Sequence, residues 1–325
     1  MKFAKIKAID YHLPESTLSN EDLSRQFPEW SVDKIASKTG INSRRIASSS
    51  ECSSDLAVAA ANKLFQSDNG LDREQVDFLI FCTQTPDYFL PTTACILQDR
   101  LGLPTSIGAF DFNLGCSGYV YGLGLGTSLI ESGQAENVLL LTGDTYSKLL
   151  APEDRSVRAI FGDGASATWL SAQASTDPLI GPFVYGTDGA GYKNLIVESG
   201  AMRDQEGTSD RFLRMNGSEI FTFTISAVPK LVNQTLEKAG LGLDDIDWFI
   251  FHQANAFMME HLRKKLDIPA NKFVVQLDEF GNTVASSIPI AITATANQNQ
   301  IKPEQKLMTV GFGVGYSWAA TIITW

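Results

Sequence analysis

The sequence has little that would suit the protein to bind nucleic acid or to cross a membrane. Its 26 Lys and Arg are outnumbered by 37 Asp and Glu, for a formal net charge of −11, so no basic field is available to hold a polyanion. Its apolar runs, such as FLIFC (78–82) and VLLL (138–141), are far shorter than the ~20 residues of a membrane helix. We therefore expect neither a nucleic-acid partner nor a membrane partner.

Cysteine is also scarce, with four in 325 residues and no CxxC pair. Four scattered cysteines are too few for a disulfide framework and have no zinc-binding spacing, so we expect no metal site. The amino-terminal segment lacks the apolar core of a secretion signal. These features are typical of a protein of the reducing cytoplasm.

The sequence does contain a regular alternation of helix-like and strand-like segments. Residues 55–66 and 122–133 have helical patterns, and short apolar strands follow them at 77–83 and 137–143. This spacing is typical of βαβ units whose largely parallel sheet is covered on both faces. We therefore expect an α/β fold.

The second half of the chain repeats a phrase of the first. VDFLIFCTQT (76–85) and IDWFIFHQAN (246–255) superimpose without a gap, and both follow a helix and an acid-rich turn. Any two βα units resemble each other to some degree, so duplication and coincidence both stay open on pattern alone. If the duplication is real, ligands should collect beyond the carboxyl end of each strand.

Cys116 stands where a sharp turn would hold a nucleophile. In NLGCSG (113–118) it follows an apolar strand and precedes a helix-like run, with glycines close on both sides. A thiol at a helix N-terminus faces unpaired N–H groups and the positive end of the helix dipole, which predicts a lowered pKa and a reactive thiolate. The alternative is a small packing residue, which is our interpretation of Cys82 and Cys95; both are expected in the core.

Two further polar residues follow apolar segments in the second half. His252 comes directly after the strand WFIF, whereas His12 lies beside a proline turn and His261 on an exposed helix. Asn282 lies in a Gly-Asn turn before the helix-like run that begins VASSIP. Each alone is more typical of a loop residue than of a catalyst. Together with Cys116 they are candidate catalytic residues.

The order Cys, His, Asn also occurs in papain-like proteases. The CGSCW-type signature of those enzymes is absent, and the βα alternation does not suit their fold, so a protease is a weak alternative. The glycine-rich GFGVG (311–315) lacks the Lys of a phosphate loop and the following helix of a dinucleotide-binding fingerprint. A tight turn that offers backbone N–H groups to an oxyanion stays open for this segment.

Four separated blocks resemble the signature of one enzyme family. They are GCSGYVYGL around Cys116, HQAN (252–255), GNTVASSIP (281–289) and GFGVGYSW (311–318). Along essentially its whole length the chain resembles β-ketoacyl-acyl-carrier-protein synthase III, of the thiolase-like condensing enzymes. The resemblance implies a homodimer and a five-layer αβαβα fold of two duplicated halves, which we place at 1–174 and 175–325.

The resemblance also implies an acyltransferase of fatty-acid or related lipid or polyketide biosynthesis. Cys116 would take an acyl group from acyl-coenzyme A or an acyl-carrier thioester, and this group would condense with malonyl-acyl carrier protein to give a 3-oxoacyl product. His252 and Asn282 would stabilise the enolate left by decarboxylation, and backbone N–H groups of Cys116 and Val314 would bind the second oxyanion. No cofactor is expected to be bound permanently, since coenzyme A or phosphopantetheine thioesters are the substrates. The alternative is a same-fold acyltransferase or thioester hydrolase without the condensation.

Further positions correspond to binding residues of the family. Leu90 stands where acetyl-preferring members have a Phe that crosses the dimer interface, so we expect an acyl pocket with room for a primer longer than acetyl. Trp30 and Arg155 correspond to residues that hold coenzyme A. Asn255 and Phe257 lie where phosphopantetheine would pass, with Phe257 in place of an arginine. The basic helix patch that would meet the acidic carrier protein consists of Arg263, Lys264 and Lys265.

Overall fold

A computed structural model describes residues 1–67, 70–298 and 300–325. Helices and strands alternate along these residues, which confirms the expected α/β class. The α-helices are α1 Asn20–Gln26, α2 Val32–Thr39, α3 Ser53–Gln66, α4 Thr93–Arg100, α5 Gly118–Glu131, α6 Arg155–Arg158, α7 Gly217–Ala239, α8 Ala256–Lys265 and α9 Ser287–Asn297. The strands are β1 Lys2–His12, β2 Thr17–Ser19, β3 Ser43–Arg45, β4 Phe78–Cys82, β5 Gly108–Phe112, β6 Asn137–Asp144, β7 Gly164–Ala174, β8 Val184–Thr187, β9 Leu195–Ile196, β10 Arg214–Met215, β11 Trp248–Phe251, β12 Lys306–Gly313 and β13 Ser317–Thr324.

Five strands from the first part of the chain form one mixed sheet, so the largely parallel sheet expected from the sequence is wrong. Its order is β1-β7-β6-β4-β5, with β4 parallel to β5 and β6, and with β7 antiparallel to β1 and β6. Leu79, Ile80 and Phe81 of β4 are fully buried, as expected for a strand covered on both faces. The apolar run predicted to be a buried strand at 77–83 is therefore confirmed.

The second sheet repeats the topology of the first. Its order is β11-β12-β13-β8, with β11 parallel to β12, and β13 antiparallel to both of its neighbours. A single parallel bridge from Phe249 to Phe273 lies beside β11, at the place that β5 has beside β4. The phrases 76–85 and 246–255 carry the corresponding strands β4 and β11, so the chain is duplicated. A division at residue 174 stays a prediction.

Helices form three layers around the two sheets. Helices α5 and α9 lie between the sheets, in a core that includes Ile80, Leu140, Ile250 and Leu307. Helices α3 and α4 cover the outer face of the first sheet, and α7 and α8 cover that of the second. This is the five-layer αβαβα arrangement. None of the described helices combines the length and the apolar character needed to cross a membrane.

The two cysteines expected in the core have different environments. Cys82 is buried at the end of β4, and its Sγ lies 3.0 Å from the carbonyl oxygen of Leu114. Cys95 is exposed on α4, so the core position expected for it is wrong. Helix α4 instead buries Thr93, Ala94 and Leu97, and the helical period then turns residue 95 toward solvent.

The duplication brings the predicted catalytic residues to the contact between the two halves of the chain. Cys116 lies in the loop before α5, and Asn282 lies in the corresponding loop before α9. His252 directly follows β11, where its backbone N–H donates to the Val310 carbonyl oxygen of β12 at 2.8 Å. The amino ends of both central helices and the end of β11 therefore meet at one place.

Candidate active site

A cavity of about 130 Å³ contains all three predicted catalytic residues. Cys116, His252 and Asn282 are 6%, 2% and 4% exposed. Enclosure of this kind removes water from reacting groups and strengthens the hydrogen bonds made there. Most of the remaining wall is apolar and includes Ile160, Phe161, Leu195, Ile220, Met258 and Phe312.

Cys116 lies in the predicted turn between β5 and α5. The N–H of Gly118 donates to the Gly115 carbonyl oxygen at 2.7 Å, which closes the turn that presents the thiol. The end of β12 passes directly over this turn, since a β-carbon added at Gly313 would lie 3.0 Å from Cys116 Sγ. Glycine at position 313 therefore allows the backbone to approach the thiol.

Burial controls the acidity of the Cys116 thiol. It raises the pKa of Cys116 to about 12, and the nearby Asp144 carboxyl adds to the increase. Helix α5 begins two residues later, at Gly118, but the cost of desolvating a thiolate outweighs the helix dipole. The lowered pKa expected from the sequence is therefore wrong, and Cys116 is a neutral thiol at neutral pH.

His252 and Asn282 form a polar pair in the cavity. Asn282 Nδ2 lies 3.3 Å from His252 Nε2. The amide is held in this orientation because its Oδ1 accepts the Val284 N–H at 2.9 Å. Burial lowers the pKa of His252 to about 3, so the imidazole is neutral at physiological pH.

Ser287, in the first turn of α9, is a site residue that the sequence reasoning missed. Its Oγ lies 2.7 Å from His252 Nδ1 and accepts the Gln253 N–H at 3.3 Å. The Ser287 hydroxyl is free to donate to Nδ1, which leaves the proton of the neutral ring on Nε2. The residue lies inside the GNTVASSIP block, but nothing in that spacing indicates which ring nitrogen it meets.

The backbone around Asn282 is tightly constrained. Its N–H donates to the Ile160 carbonyl oxygen at 2.9 Å, and its carbonyl oxygen accepts the Gly162 N–H at 3.0 Å. Gly281 has φ 71°, and Val284 has φ 55°, which is rare for a β-branched residue. Because the Val284 N–H orients the Asn282 amide, this strained residue contributes directly to the site.

Two buried serines join the Cys116 turn to the glycine-rich turn. Ser117 Oγ lies 2.6 Å from Ser317 Oγ, and the Ser317 hydroxyl donates to the Val314 carbonyl oxygen at 2.9 Å. The glycine-rich segment ends β12 at Gly313, and the chain turns at Val314 and Gly315 before β13 begins at Ser317. These contacts support the oxyanion role predicted for the Val314 N–H, which stays a prediction.

The two residues predicted to hold coenzyme A lie together. The Arg155 guanidinium lies 5.1 Å from the centre of the Trp30 ring, and Lys38 Nζ lies 5.8 Å from it. Arg155 also forms an ion pair with Glu29. Cationic groups beside a partly buried indole suit a flat, negatively charged nucleotide, although this role stays a prediction.

The residues predicted to contact phosphopantetheine lie at the start of α8. Asn255 lines the cavity, and its Oδ1 caps the helix by accepting the Met258 N–H at 2.9 Å. Phe257 is 63% exposed and packs on Phe221, with ring centroids 5.7 Å apart. This surface is therefore aromatic where the family resemblance leads one to expect a guanidinium.

The predicted carrier-protein patch lies at the end of α8. Arg263 makes two hydrogen bonds to Glu260, at 2.8 and 2.7 Å, and Lys264 Nζ lies 3.2 Å from the same carboxylate. Lys265 Nζ donates to the Ile225 carbonyl oxygen at 2.8 Å. Glu260 offsets part of the positive charge, so the field of this patch is weaker than the sequence suggests.

Leu90 lies at the tip of an exposed loop rather than in the cavity wall of a single chain. It is 86% exposed, and its neighbours Tyr88 and Phe89 are 63% and 75% exposed. A contiguous exposed apolar segment of this kind is typical of a protein–protein contact. The segment therefore supports the predicted homodimer, in which Leu90 would reach the partner.

Comparison with known proteins identifies one family along the chain. Residues 110–189 match the family described as 3-oxoacyl-[acyl-carrier-protein (ACP)] synthase III, and residues 236–325 match its C-terminal region. A β-ketoacyl-[acyl-carrier-protein] synthase III of Clostridium perfringens is 39% identical over 327 residues, which covers 99% of each chain. The likeness therefore includes all three candidate catalytic positions.

Solved structures give the same result for the fold. One 3-oxoacyl-(acyl-carrier-protein) synthase III superimposes with a TM-score of 0.97 at 48% identity, over 99% of this chain and 100% of the other. A 3-oxoacyl-(acyl-carrier protein) synthase from Burkholderia xenovorans LB400 has a TM-score of 0.93 at 41% identity, over 99% and 95% of the two chains. Both halves of the duplicated architecture are shared with these proteins.

Proposed function

The chain belongs to the 3-oxoacyl-[acyl-carrier-protein] synthase III family, and from this premise we propose that it condenses a Cys116-bound acyl group with malonyl-acyl carrier protein. It is an acyltransferase of the thiolase-like condensing type. The catalytic roles that we propose for these residues rest on one observation. The Cys116 thiol and the paired N–H donors of His252 and Asn282 line the same buried cavity.

Acyl transfer starts from the neutral Cys116 thiol. Its sulfur attacks the thioester carbonyl of acyl-coenzyme A, the bond to the coenzyme A sulfur breaks, and the thiol proton goes to that departing sulfur. The N–H groups of Cys116 and Val314 stabilise the oxyanion of the tetrahedral intermediate. One thioester replaces another, so little free energy is lost in the exchange.

Decarboxylation of the malonyl thioester is the step that needs His252 and Asn282. When CO2 leaves, the electron pair of the broken carbon–carbon bond forms an enolate, whose oxygen carries the negative charge. The two N–H donors stand close enough to share this oxygen, since Nδ2 and Nε2 are 3.3 Å apart. With a pKa of about 3, His252 is a poor base and does not compete by taking a proton.

Condensation returns the enzyme to its starting state. The enolate carbon attacks the acyl carbonyl on Cys116, and the resulting oxyanion collapses with cleavage of the bond to Sγ. The 3-oxoacyl group leaves on the carrier protein. The sulfur then takes one proton from solvent, which restores the neutral thiol.

The proposal places the substrates and the partner on separate surfaces. Coenzyme A would lie against Trp30 and Arg155, and phosphopantetheine would pass Asn255 and Phe257. A homodimer would form with the 88–90 tip at its interface. The four cysteines are all free thiols, which supports a location in the reducing cytoplasm. The carrier protein would dock on Arg263, Lys264 and Lys265.

A thioester hydrolase with the same fold is the second candidate, and one assay separates the two functions. The purified protein is incubated with acyl-coenzyme A and malonyl-carrier protein while free coenzyme A, CO2 and carrier-bound product are measured. Condensation releases coenzyme A and CO2 in equal amounts and yields a 3-oxoacyl-carrier product, and Cys116→Ala should yield none. Release of coenzyme A with no CO2 would overturn the proposal.

A further inference from the structure

We propose that Tyr146, held by Gln84, limits the acyl group on Cys116 to short chains. The inference rests on the proposed function and adds to it a substrate class, namely acetyl and propionyl thioesters. Neither Tyr146 nor Gln84 was identified from the sequence, and neither takes part in the chemical steps described above.

The order of the reaction decides where an acyl chain can lie. The malonyl thioester must reach His252 and Asn282 while the acyl group is still attached to Cys116. The cavity in front of these residues is therefore taken by the second substrate. The acyl chain must lie among the other side chains of the buried cluster that contains Cys116, which include Tyr146, Leu150, Val157 and Leu213.

Tyr146 fills that space next to the nucleophile. It is 3% exposed, and its ring centroid lies 5.1 Å from that of Phe161, a residue of the cavity wall. Its hydroxyl donates to Gln84 Oε1 at 2.6 Å. Gln84 Oε1 in turn packs against Gly115, where an added β-carbon would collide with it. The hydrogen-bonded pair is therefore in direct contact with the turn that carries Cys116.

Gln84 is itself fixed in place. Its backbone N–H donates to Asp144 Oδ1 at 2.8 Å, and its Nε2 donates to Asn113 Oδ1 at 3.1 Å. A long acyl chain would have to displace the Tyr146 ring and leave Gln84 Oε1 without its donor. The Tyr146 hydroxyl belongs to a buried residue and would also lose its acceptor, which is costly, so the pair resists this displacement. Acetyl and propionyl groups are small enough not to require it.

The Tyr146 ring, held by Gln84, would exclude the longer primer that we expected from Leu90. Leu90 is exposed in the single chain and does not belong to the cluster of described residues packed around Cys116. Extra room left by the partner's Leu90 at the far end of the pocket would be of no use to a chain that stops at Tyr146. The inference therefore predicts that Tyr146, and not Leu90, decides primer length.

The test is a panel of acetyl-, propionyl-, butyryl-, hexanoyl- and octanoyl-coenzyme A, with the rate of Cys116 acylation followed by intact-protein mass spectrometry. The unaltered protein should acylate with acetyl or propionyl at least ~10-fold faster than with hexanoyl, since a misfitted methylene costs about 10–200-fold. Tyr146→Leu should lower this preference at least ~10-fold. Tyr146→Phe keeps the ring and removes only its hydrogen bond to Gln84, so its preference should fall less than that of Tyr146→Leu.

Two results would overturn the inference. One is an unaltered protein that takes octanoyl as fast as acetyl, and the other is a folded Tyr146→Leu protein whose preference does not change. Gln84→Ala provides a second variant, which should shift the preference in the same direction by freeing the tyrosine. Failure of every thioester to acylate Cys116 would contradict the proposed function itself, so the two failures are distinguishable.

Discussion

Asn282 Nδ2 and His252 Nε2 lie 3.3 Å apart, although the two residues come from the loop before α9 and from the end of β11. Both groups can donate to one oxygen, and a ring protonated on Nε2 has no free lone pair on that nitrogen with which to take the acyl group in place of Cys116. In the proposed mechanism the Cys116 thiol holds the acyl group, and the His252–Asn282 pair acts on the malonyl thioester.

We predict that Ser287 sets the tautomer of His252. In Ser287→Ala the donor to Nδ1 is lost, so the ring proton is shared between the two nitrogens and condensation slows by about 5- to 10-fold, the value of one hydrogen bond of ~1 kcal/mol. Acylation of Cys116 should not change. ¹⁵N NMR of histidine-labelled protein reports the tautomer, and His252→Ala identifies the signal among three histidines. A ring protonated on Nδ1 in the unaltered protein would refute this role.

We predict that Cys116 reacts slowly with iodoacetamide at neutral pH. Because burial raises its pKa to about 12, the thiolate fraction and the alkylation rate should rise about tenfold per pH unit, with no plateau below ~pH 10. Peptide mapping of the alkylated protein measures this rate, and Cys116→Ala shows the background from the other cysteines. A plateau near pH 7 would mean that the helix dipole has activated the thiol after all.

We predict that His252 makes the fold sensitive to acid. Its pKa is about 3 in the folded protein and near 6.5 when unfolded, so only the unfolded chain gains a proton between these values. The contribution to the free energy of unfolding is complete above about pH 6.5 and is lost as the pH falls toward 3, by about 5 kcal/mol at most. Urea unfolding at several pH values should show a smaller loss in His252→Gln. If the free energy of unfolding fell equally with pH in the unaltered protein and in His252→Gln, His252 would make no such contribution.

We predict that Trp30 and Arg155 bind the nucleotide part of coenzyme A and nothing else. Loss of a stacking surface costs ~1–3 kcal/mol, so Trp30→Ala should raise KM for acyl-coenzyme A about 10-fold. Arg155→Ala should raise it less, about 2- to 5-fold. Acyl-pantetheine has no adenine, so its KM should be the same for both variants and the unaltered protein. An equal rise in KM for acyl-coenzyme A and acyl-pantetheine would mean that Trp30 and Arg155 contact a different part of the substrate.

The fold could be predicted from the local pattern of apolar residues because β4 and β11 consist of apolar runs that are typical of buried strands. Segments 76–85 and 246–255, which contain these strands, superimpose without a gap and so also indicated the duplication that the two sheets show. The burial of Cys95 was predicted wrongly because the buried face of a short helix can be assigned only when the elements that pack against it are known. A segment such as TTACILQ does not identify those partners.

The three candidate catalytic residues could be brought together from their motifs, as the shared cavity shows, but their electrostatics could not be predicted. The pKa of Cys116 depends on burial by side chains from distant segments, such as Phe161 and Met258, which no local pattern reveals. Ser287 and Tyr146 were missed for the same reason. Their hydrogen-bond partners lie 35 and 62 residues away in sequence.

The most direct test of the central claim is intact-protein mass spectrometry of the unaltered protein, Cys116→Ala, His252→Ala and Asn282→Ala. Each is given acetyl-coenzyme A first and malonyl-carrier protein second. We expect no acyl adduct on Cys116→Ala. The other two variants should acylate at the normal rate and then lose the adduct to condensation more slowly, by a factor on the order of 10²–10³. An adduct on Cys116→Ala, or condensation at full rate in His252→Ala, would contradict the account.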